Sequence, residues 1–162
     1  MKTTRSTLVP FFRQKTDYTC GPACIRMVLA ASGKHISEQP LAKLAHADKV
    51  KGTETRDLRR VLQGQNMQVR LTRKLMRDEL VKLLNDHRLV IINYRMPVEE
   101  VGHYALAIGV TKEGIILHDP SRGPKFTLSW NEFLPRWYGY KSPYKHQGRG
   151  IVIALGQENK KA

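Results

Sequence analysis

The sequence predicts an α+β domain in which helices come first and mostly antiparallel strands follow. Three observations predict it. Apolar residues recur with helical spacing between Cys20 and Asn85. From Leu89 onward they run continuously and are rich in β-branched types. Thr111–Gly114 separates two such runs as a hairpin turn does. The 162 residues suit one domain, expected over 1–162 with its core at about 8–155 and a polar tail over 156–162. A chain of this size buries a sizeable core without disulfides or metals.

Leu8–Phe12 is a short apolar patch that reads as an edge strand broken by Pro10, and Arg13–Thr19 is polar and loop-like. Cys20, Cys24, Met27, Val28 and Ala31 then form the stripe of an amphipathic helix. Pro22 suits its first turn, where no N–H is needed, and Gly33 suits its end. Ser37 can cap a second helix running to about Ala47, with Pro40 tolerated in its first turn. Thr53 or Thr55 can cap a third, ending at Gly64 with Leu58, Val61 and Leu62 inward. A weak strand at Met67–Leu71 precedes a fourth helix over Leu75–Asn85, whose Asp78 and Glu79 favour its N-terminal end. Strands follow at Leu89–Tyr94, His103–Val110 and Gly114–His118, with shorter ones at Phe126–Leu128 and Ile151–Leu155. Trp130–Trp137 reads as a brief helix.

The chain carries 28 Lys+Arg against 14 Asp+Glu, a net charge of +14. Such a field attracts anions, so an acidic partner or an anionic surface is expected. The basic residues are scattered, with no run of five or six, which argues against nucleic acid as the partner. No window reaches the about 18 apolar residues of a membrane span, and Met1–Pro10 lacks a signal-peptide core, so a cytoplasmic protein is expected. The two cysteines, Cys20 and Cys24, lie four apart, where a disulfide would distort a helix. Free thiols agree with a reducing compartment. No Cys/His quartet has structural-zinc spacing, and neither a metal nor a cofactor is expected.

Cys20 stands at the entry of the first helix, where unpaired N–H groups and the positive end of the dipole favour a thiolate. Gly21 beside it allows close approach of a second backbone. Cys24, one turn further in, reads as a small core residue. Of six histidines, His35, His46, His87 and His146 lie in polar contexts and read as surface residues. His103 opens a strand on which Ala105 and Ala107 share its face and leave room for an imidazole. The partner strand of that hairpin ends in His118-Asp119-Pro120. A turn near Lys112-Glu113 sets position 119 opposite 105–107, so Asp119 can accept a hydrogen bond from one nitrogen of His103 and leave the other for a thiol. His118 points to the opposite face unless a bulge intervenes. Gln14, six residues before Cys20, can donate its amide to an oxyanion, with the N–H of Cys20 as second donor.

Three stretches together resemble the bacteriocin-processing, double-glycine-leader cysteine peptidases. They are Gln14-Lys-Thr-Asp-Tyr-Thr-Cys20-Gly-Pro-Ala-Cys-Ile-Arg-Met-Val-Leu29, Gly102-His103-Tyr-Ala-Leu-Ala-Ile-Gly-Val110 and Ile116-Leu117-His118-Asp119-Pro120-Ser-Arg-Gly123. The resemblance spans roughly residues 8 to 155. It implies a papain-like fold, with the helical part carrying the nucleophile packed on a C-terminal antiparallel sheet, and cleavage after a Gly-Gly pair. It carries over Cys20 as nucleophile, His103 as base, Asp119 as the group orienting that base and Gln14 as oxyanion donor. Two features depart from the family pattern. Thr19 stands where members usually have Asp, with Asp17 two residues earlier, and the transporter domains that commonly follow are not in this chain, so a separate transporter is left open. The expected partner is a peptide or protein substrate. The same residues can transfer an acyl group to an amine, and a basic binding module is the rival from another class.

Overall fold

The protein is described from a computed structural model over residues 9–99, 101–137 and 148–154. Leu8, His146 and the expected tail lie outside these residues. The elements run α1 (Cys20–Ala31), α2 (Glu38–Leu44), α3 (Thr55–Gly64), β1 (Gln68–Thr72), α4 (Arg77–Asn85), β2 (Arg88–Arg95), β3 (Gly102–Val110), β4 (Gly114–Asp119), β5 (Gly123–Ser129), α5 (Trp130–Phe133) and β6 (Gly150–Ala154), with a 3-10 turn at Leu134–Arg136. The order of helices and strands is the one the periodicity predicts.

The strands form one antiparallel sheet in the order β1-β6-β2-β3-β4-β5. Hairpin links give β2-β3-β4-β5. The insertion of β6 between β1 and β2 is long-range and leaves no local mark in the sequence. Each sheet face carries its own apolar layer. On one face Leu89, Ile91, Leu106, Ile108, Ile151 and Ile153 pack with Met27, Val28, Leu41, Leu58 and Leu62 of α1 to α3. On the other, Val90, Ile92, Tyr94, Ala105, Ala107 and Val152 pack with Leu80 and Leu84 of α4 and with Trp130 and Phe133 of α5. Alternation along each strand divides the two sets.

Nine of the twelve residues of α1 are buried, so this helix is central rather than amphipathic on a surface. Its first turn is pressed against α3. A Cβ at Gly21 would lie 2.9 Å from Cδ2 of Leu58, and Leu58 is fully buried. Truncating Leu58 would leave a hole beneath Cys20, at a cost of about 2–5 kcal/mol.

The structure departs from the local reading in three places. The segment from Val9 to Phe12 is not a strand. His118 Nε2 holds the carbonyl of Val9 at 2.8 Å, and Gln14 N–H donates to Pro120 O at 3.1 Å, so the arm is bound from the sheet's end without joining the ladder. α2 stops at Leu44, before Ala47, as the chain turns through His46 at φ 55°. The N-cap position of α3 is Glu54 rather than a threonine, without a side-chain cap bond, and the Thr55 hydroxyl is bonded instead to Tyr104 OH at 2.7 Å.

One irregularity bears directly on the site. β3 pairs with β4 through Gly109↔Ile116 and Val110↔Ile115, then through Ala107↔Leu117 and Leu106↔His118. Ile108 is the extra residue of a β-bulge between the two registers.

Candidate active site

Cys20 is the first residue of α1, half-buried and free of any disulfide. Thr19 precedes it as N-cap, but its hydroxyl does not cap the helix. It bonds Thr16 through the Thr16 N–H at 3.2 Å and the Thr16 hydroxyl at 2.9 Å, which tightens the turn leading into Cys20. Cys24 is fully buried, and its thiol is held protonated by burial first and then by negative charge at Cys20 and Asp119. It belongs to the core, as its helical position predicts.

His103 is the second residue of β3 and is buried. The pairing Leu106↔His118 sets Asp119 opposite Ala105, on the face that His103 shares, and the diagonal gap is within side-chain reach. His103 Nε2 donates to Asp119 Oδ1 at 2.8 Å. The ring's other nitrogen, Nδ1, is left for the Cys20 sulfur, whose interaction with the imidazole is one of the causes that raise it. Burial on its own would depress the imidazole. The bonds to Asp119 and Cys20 outweigh it and raise the group to about 10.

Asp119 is fully buried. Burial would push its carboxyl up, yet the bonds from His103, Tyr94 and the Ser121 N–H hold it below the ordinary carboxylate range. Oδ1 takes His103 together with the N–H groups of Ser121 (2.9 Å) and Arg122 (3.0 Å), and Oδ2 takes the Tyr94 hydroxyl at 2.5 Å. A carboxylate so surrounded is fixed in both charge and direction.

Gln14 lies next to this turn through its N–H bond to Pro120 O. Its side-chain Nε2 donates to Thr16 O at 2.8 Å, leaving the second N–H of the amide uncommitted, and its Oε1 is buried without a partner. Arg13 Nη1 donates to Ser121 O at 2.8 Å, and both carboxylate oxygens of buried Glu38 accept the Lys15 N–H at 3.2 Å. The loop that carries Gln14 is therefore held between the Asp119 turn and the start of α2.

The structure thus bonds His103 to Asp119, leaves the other imidazole nitrogen for Cys20, and sets Gln14 at the edge of the Asp119 turn. His118 stays apart. It is buried on the other face, Nε2 donating to Val9 O and Nδ1 accepting the Lys125 N–H at 3.3 Å. His35, His46 and His87 are exposed. Among the described residues no three His, Cys, Asp or Glu side chains gather so as to hold a metal ion, and no helix is long and apolar enough to cross a membrane.

Sequence reasoning missed Tyr94, Glu38 and Arg122. Tyr94 pairs with His103 across β2 and β3, so its position was readable only once the hairpin register was known. Arg122 donates to Pro97 O at 2.7 Å and pairs with Glu99, tying the β2–β3 loop to the Asp119 turn.

The peptidase C39 family model matches residues 9–141, most of the chain. The chain belongs to the peptidase C39 family. This C39 peptidase is 31% identical over 111 residues to an uncharacterized protein of Methanothermobacter marburgensis, covering 68% of this chain and 71% of that one. Its fold is similar to the peptidase domain of Streptococcus ComA, a bifunctional ABC transporter involved in quorum sensing (TM-score 0.70, 20% identity, 90% of this chain and 98% of that one). It is also similar to a C39-like peptidase of Bacillus anthracis (TM-score 0.72, 15% identity, 91% and 95%). A third similar structure is a double-glycine-motif protease from an AMS/PCAT transporter in complex with its leader peptide (TM-score 0.65, 14% identity, 90% and 91%). The α+β, papain-like architecture and the class of cysteine peptidase follow.

Proposed function

We propose that this C39 peptidase cleaves a peptide bond through a thioester on Cys20, and that the bond follows a Gly-Gly pair at the end of a leader. The observation that carries the reading is the buried Asp119 carboxylate holding Nε2 of His103, which leaves Nδ1 of the imidazole for the Cys20 sulfur.

Cys20 as thiolate attacks the scissile carbonyl carbon, and the carbonyl oxygen takes the negative charge. The N–H of Cys20 and the free N–H of the Gln14 amide serve as its donors. Collapse breaks the C–N bond as His103 gives its proton from Nδ1 to the leaving amine. Water then attacks the thioester, His103 takes a proton from it, and the acid leaves as the thiolate is restored. Asp119 keeps the ring oriented and its charge balanced throughout. The Gly-Gly preference is supported by the sequence resemblance and by the double-glycine protease to which the fold is similar.

The test is incubation with a peptide carrying Gly-Gly at a defined place. Cleavage after the second glycine and an acyl adduct on Cys20 seen by mass are expected, and Cys20→Ala should yield neither. Turnover by folded Cys20→Ala would end the proposal.

A further inference from the structure

Tyr104 follows His103 on β3, so its side chain leaves the sheet on the opposite face, where it packs in the layer formed by α1 to α3. The ring is buried. Its hydroxyl donates to Thr53 O at 3.0 Å and is also bonded to the Thr55 hydroxyl at 2.7 Å. A phenol has one proton to give. With that proton on the Thr53 carbonyl, the Thr55 hydroxyl is the donor of the second bond. Burial raises the phenol above the ordinary tyrosine range, so the proton stays in place. Thr55 is the first residue of α3 and Thr53 lies two residues before it, so both bonds fall on the entry to that helix.

The same entry bears on the nucleophile. Gly21, directly after Cys20, has no side chain, and a Cβ there would lie 2.9 Å from Cδ2 of Leu58 and 3.4 Å from Cβ of Thr53. Thr53 and Leu58 are both buried. The entry to α3 therefore touches the chain neighbour of Cys20 through Thr53 and Leu58. It touches the chain neighbour of His103 through Thr53 and Thr55. The route between the two functional residues is Gly21, Thr53, Tyr104. Its links are a close packing contact and a hydrogen bond, joined at either end by a peptide bond.

Cys20 belongs to the helical layer and His103 to the sheet. Apolar packing between such layers is non-directional, and it resists separation better than sliding. A hydrogen bond has a set length and angle. The two Tyr104 bonds cross between the layers at the end where the sulfur and the imidazole must meet.

We infer that Tyr104 is a positioning residue for the reaction, its hydroxyl tying the entry of α3 to β3 and so setting the Cys20 sulfur against the His103 ring. The inference rests on the Cys20–His103 pairing of the reading above. It adds to that pairing a group that touches neither substrate nor the reacting atoms.

Tyr104→Phe keeps the ring and removes the hydroxyl. Alkylation of Cys20 by iodoacetamide, compared at about pH 7 and pH 10, reports the support that the imidazole gives the sulfur and needs no peptide. The ratio of the two rates should fall by about tenfold in Tyr104→Phe, in the direction of the fall in His103→Ala. On a Gly-Gly peptide kcat should fall by about tenfold with KM nearly unchanged. Thr55→Val should move both readouts the same way by less, and adding it to Tyr104→Phe should cost nothing further, because the two act through one hydroxyl. A role in stability alone would lower the denaturation midpoint and leave the alkylation ratio of the folded variant unchanged, and that result overturns the inference. If Tyr104→Phe does not fold, an unchanged ratio in Thr55→Val overturns it. Peptide cleavage together with an unchanged ratio sinks the positioning role and leaves the peptidase reading standing. A ratio that needs both His103 and Tyr104, in a protein that cleaves no Gly-Gly peptide, supports the positioning role and sinks the Gly-Gly peptidase reading. A ratio indifferent to His103, with no cleavage, sinks both.

Discussion

Tyr94 and Asp119 share a 2.5 Å hydrogen bond between side chains that are both fully buried. The phenol is raised by burial and by the carboxylate's charge, so it stays a donor at any working pH. It holds Oδ2, while Oδ1 is left for His103. Tyr94→Phe removes that donor and leaves half of a buried carboxylate unpaired. A stability loss of about 2 kcal/mol is expected in chemical denaturation. kcat/KM should fall by about tenfold as the carboxylate and the ring it aims lose their fixed direction.

Asp119→Asn keeps the shape and removes the charge. Without it the imidazolium loses its main support, and the alkaline limb of the kcat/KM profile should move down from near 10. The rate at neutral pH should drop by at least about a hundredfold, given how strongly such a substitution acts where a buried carboxylate sets the tautomer of a catalytic histidine. An unchanged limb would show that the carboxylate does not set the protonation of His103.

The pH dependence of His103 has a definite sign. Its folded value, about 10, lies above the 6.5 of a free imidazole. The stability it contributes is therefore fully present below pH 6.5 and is lost as the pH climbs through about 10. Activity that needs the imidazolium should fall over the upper part of that window. Cys20 alkylation and peptide cleavage followed from pH 7 to about 11 would check both.

His118 has the opposite sign. Burial depresses it, and its Nδ1 already accepts the Lys125 N–H, so the folded state prefers the neutral ring. Stability should fall as the pH drops below 6.5, because the unfolded chain then takes up a proton that the fold resists. Denaturation midpoints between pH 7.5 and 5 should show this slope, and His118→Gln should flatten it.

Gln14→Ala should lower kcat by about a hundredfold to a thousandfold, the usual cost of one oxyanion donor. Its folding stability should change little, because the backbone N–H that ties this residue to Pro120 is retained. Equal turnover by the variant would remove Gln14 from the chemistry.

Much of this was legible before any coordinates. Cys20 at a helix start and His103 at a strand start are positional facts that periodicity reveals. The His103–Asp119 meeting needs the hairpin whose turn is marked by Thr111–Gly114 and also the bulge at Ile108, which nothing local in the sequence marks. Tyr94 was not legible, because it reaches the site only through the register of β2 on β3. Other ties leave no local mark because they are distant in the chain, as between Thr72 and Gly148, 76 residues apart. The edge strand expected at Leu8–Phe12 failed for a related reason: a tether from His118, over a hundred residues away, competes with ladder pairing.

The bulge at Ile108 decides which of two neighbours enters the reaction. Had β3 and β4 kept the pairing of Val110 with Ile115 throughout, position 118 would fall opposite Ala107 and position 119 opposite Leu106. A second imidazole would then share the side of His103, and the acid would be turned toward α1. Flattening that bulge is a frameshift in space rather than in code. It would exchange acid for base at the centre while leaving every functional side chain in the polypeptide, whereas excising Ile108 would leave a plain ladder that keeps Leu106 opposite His118.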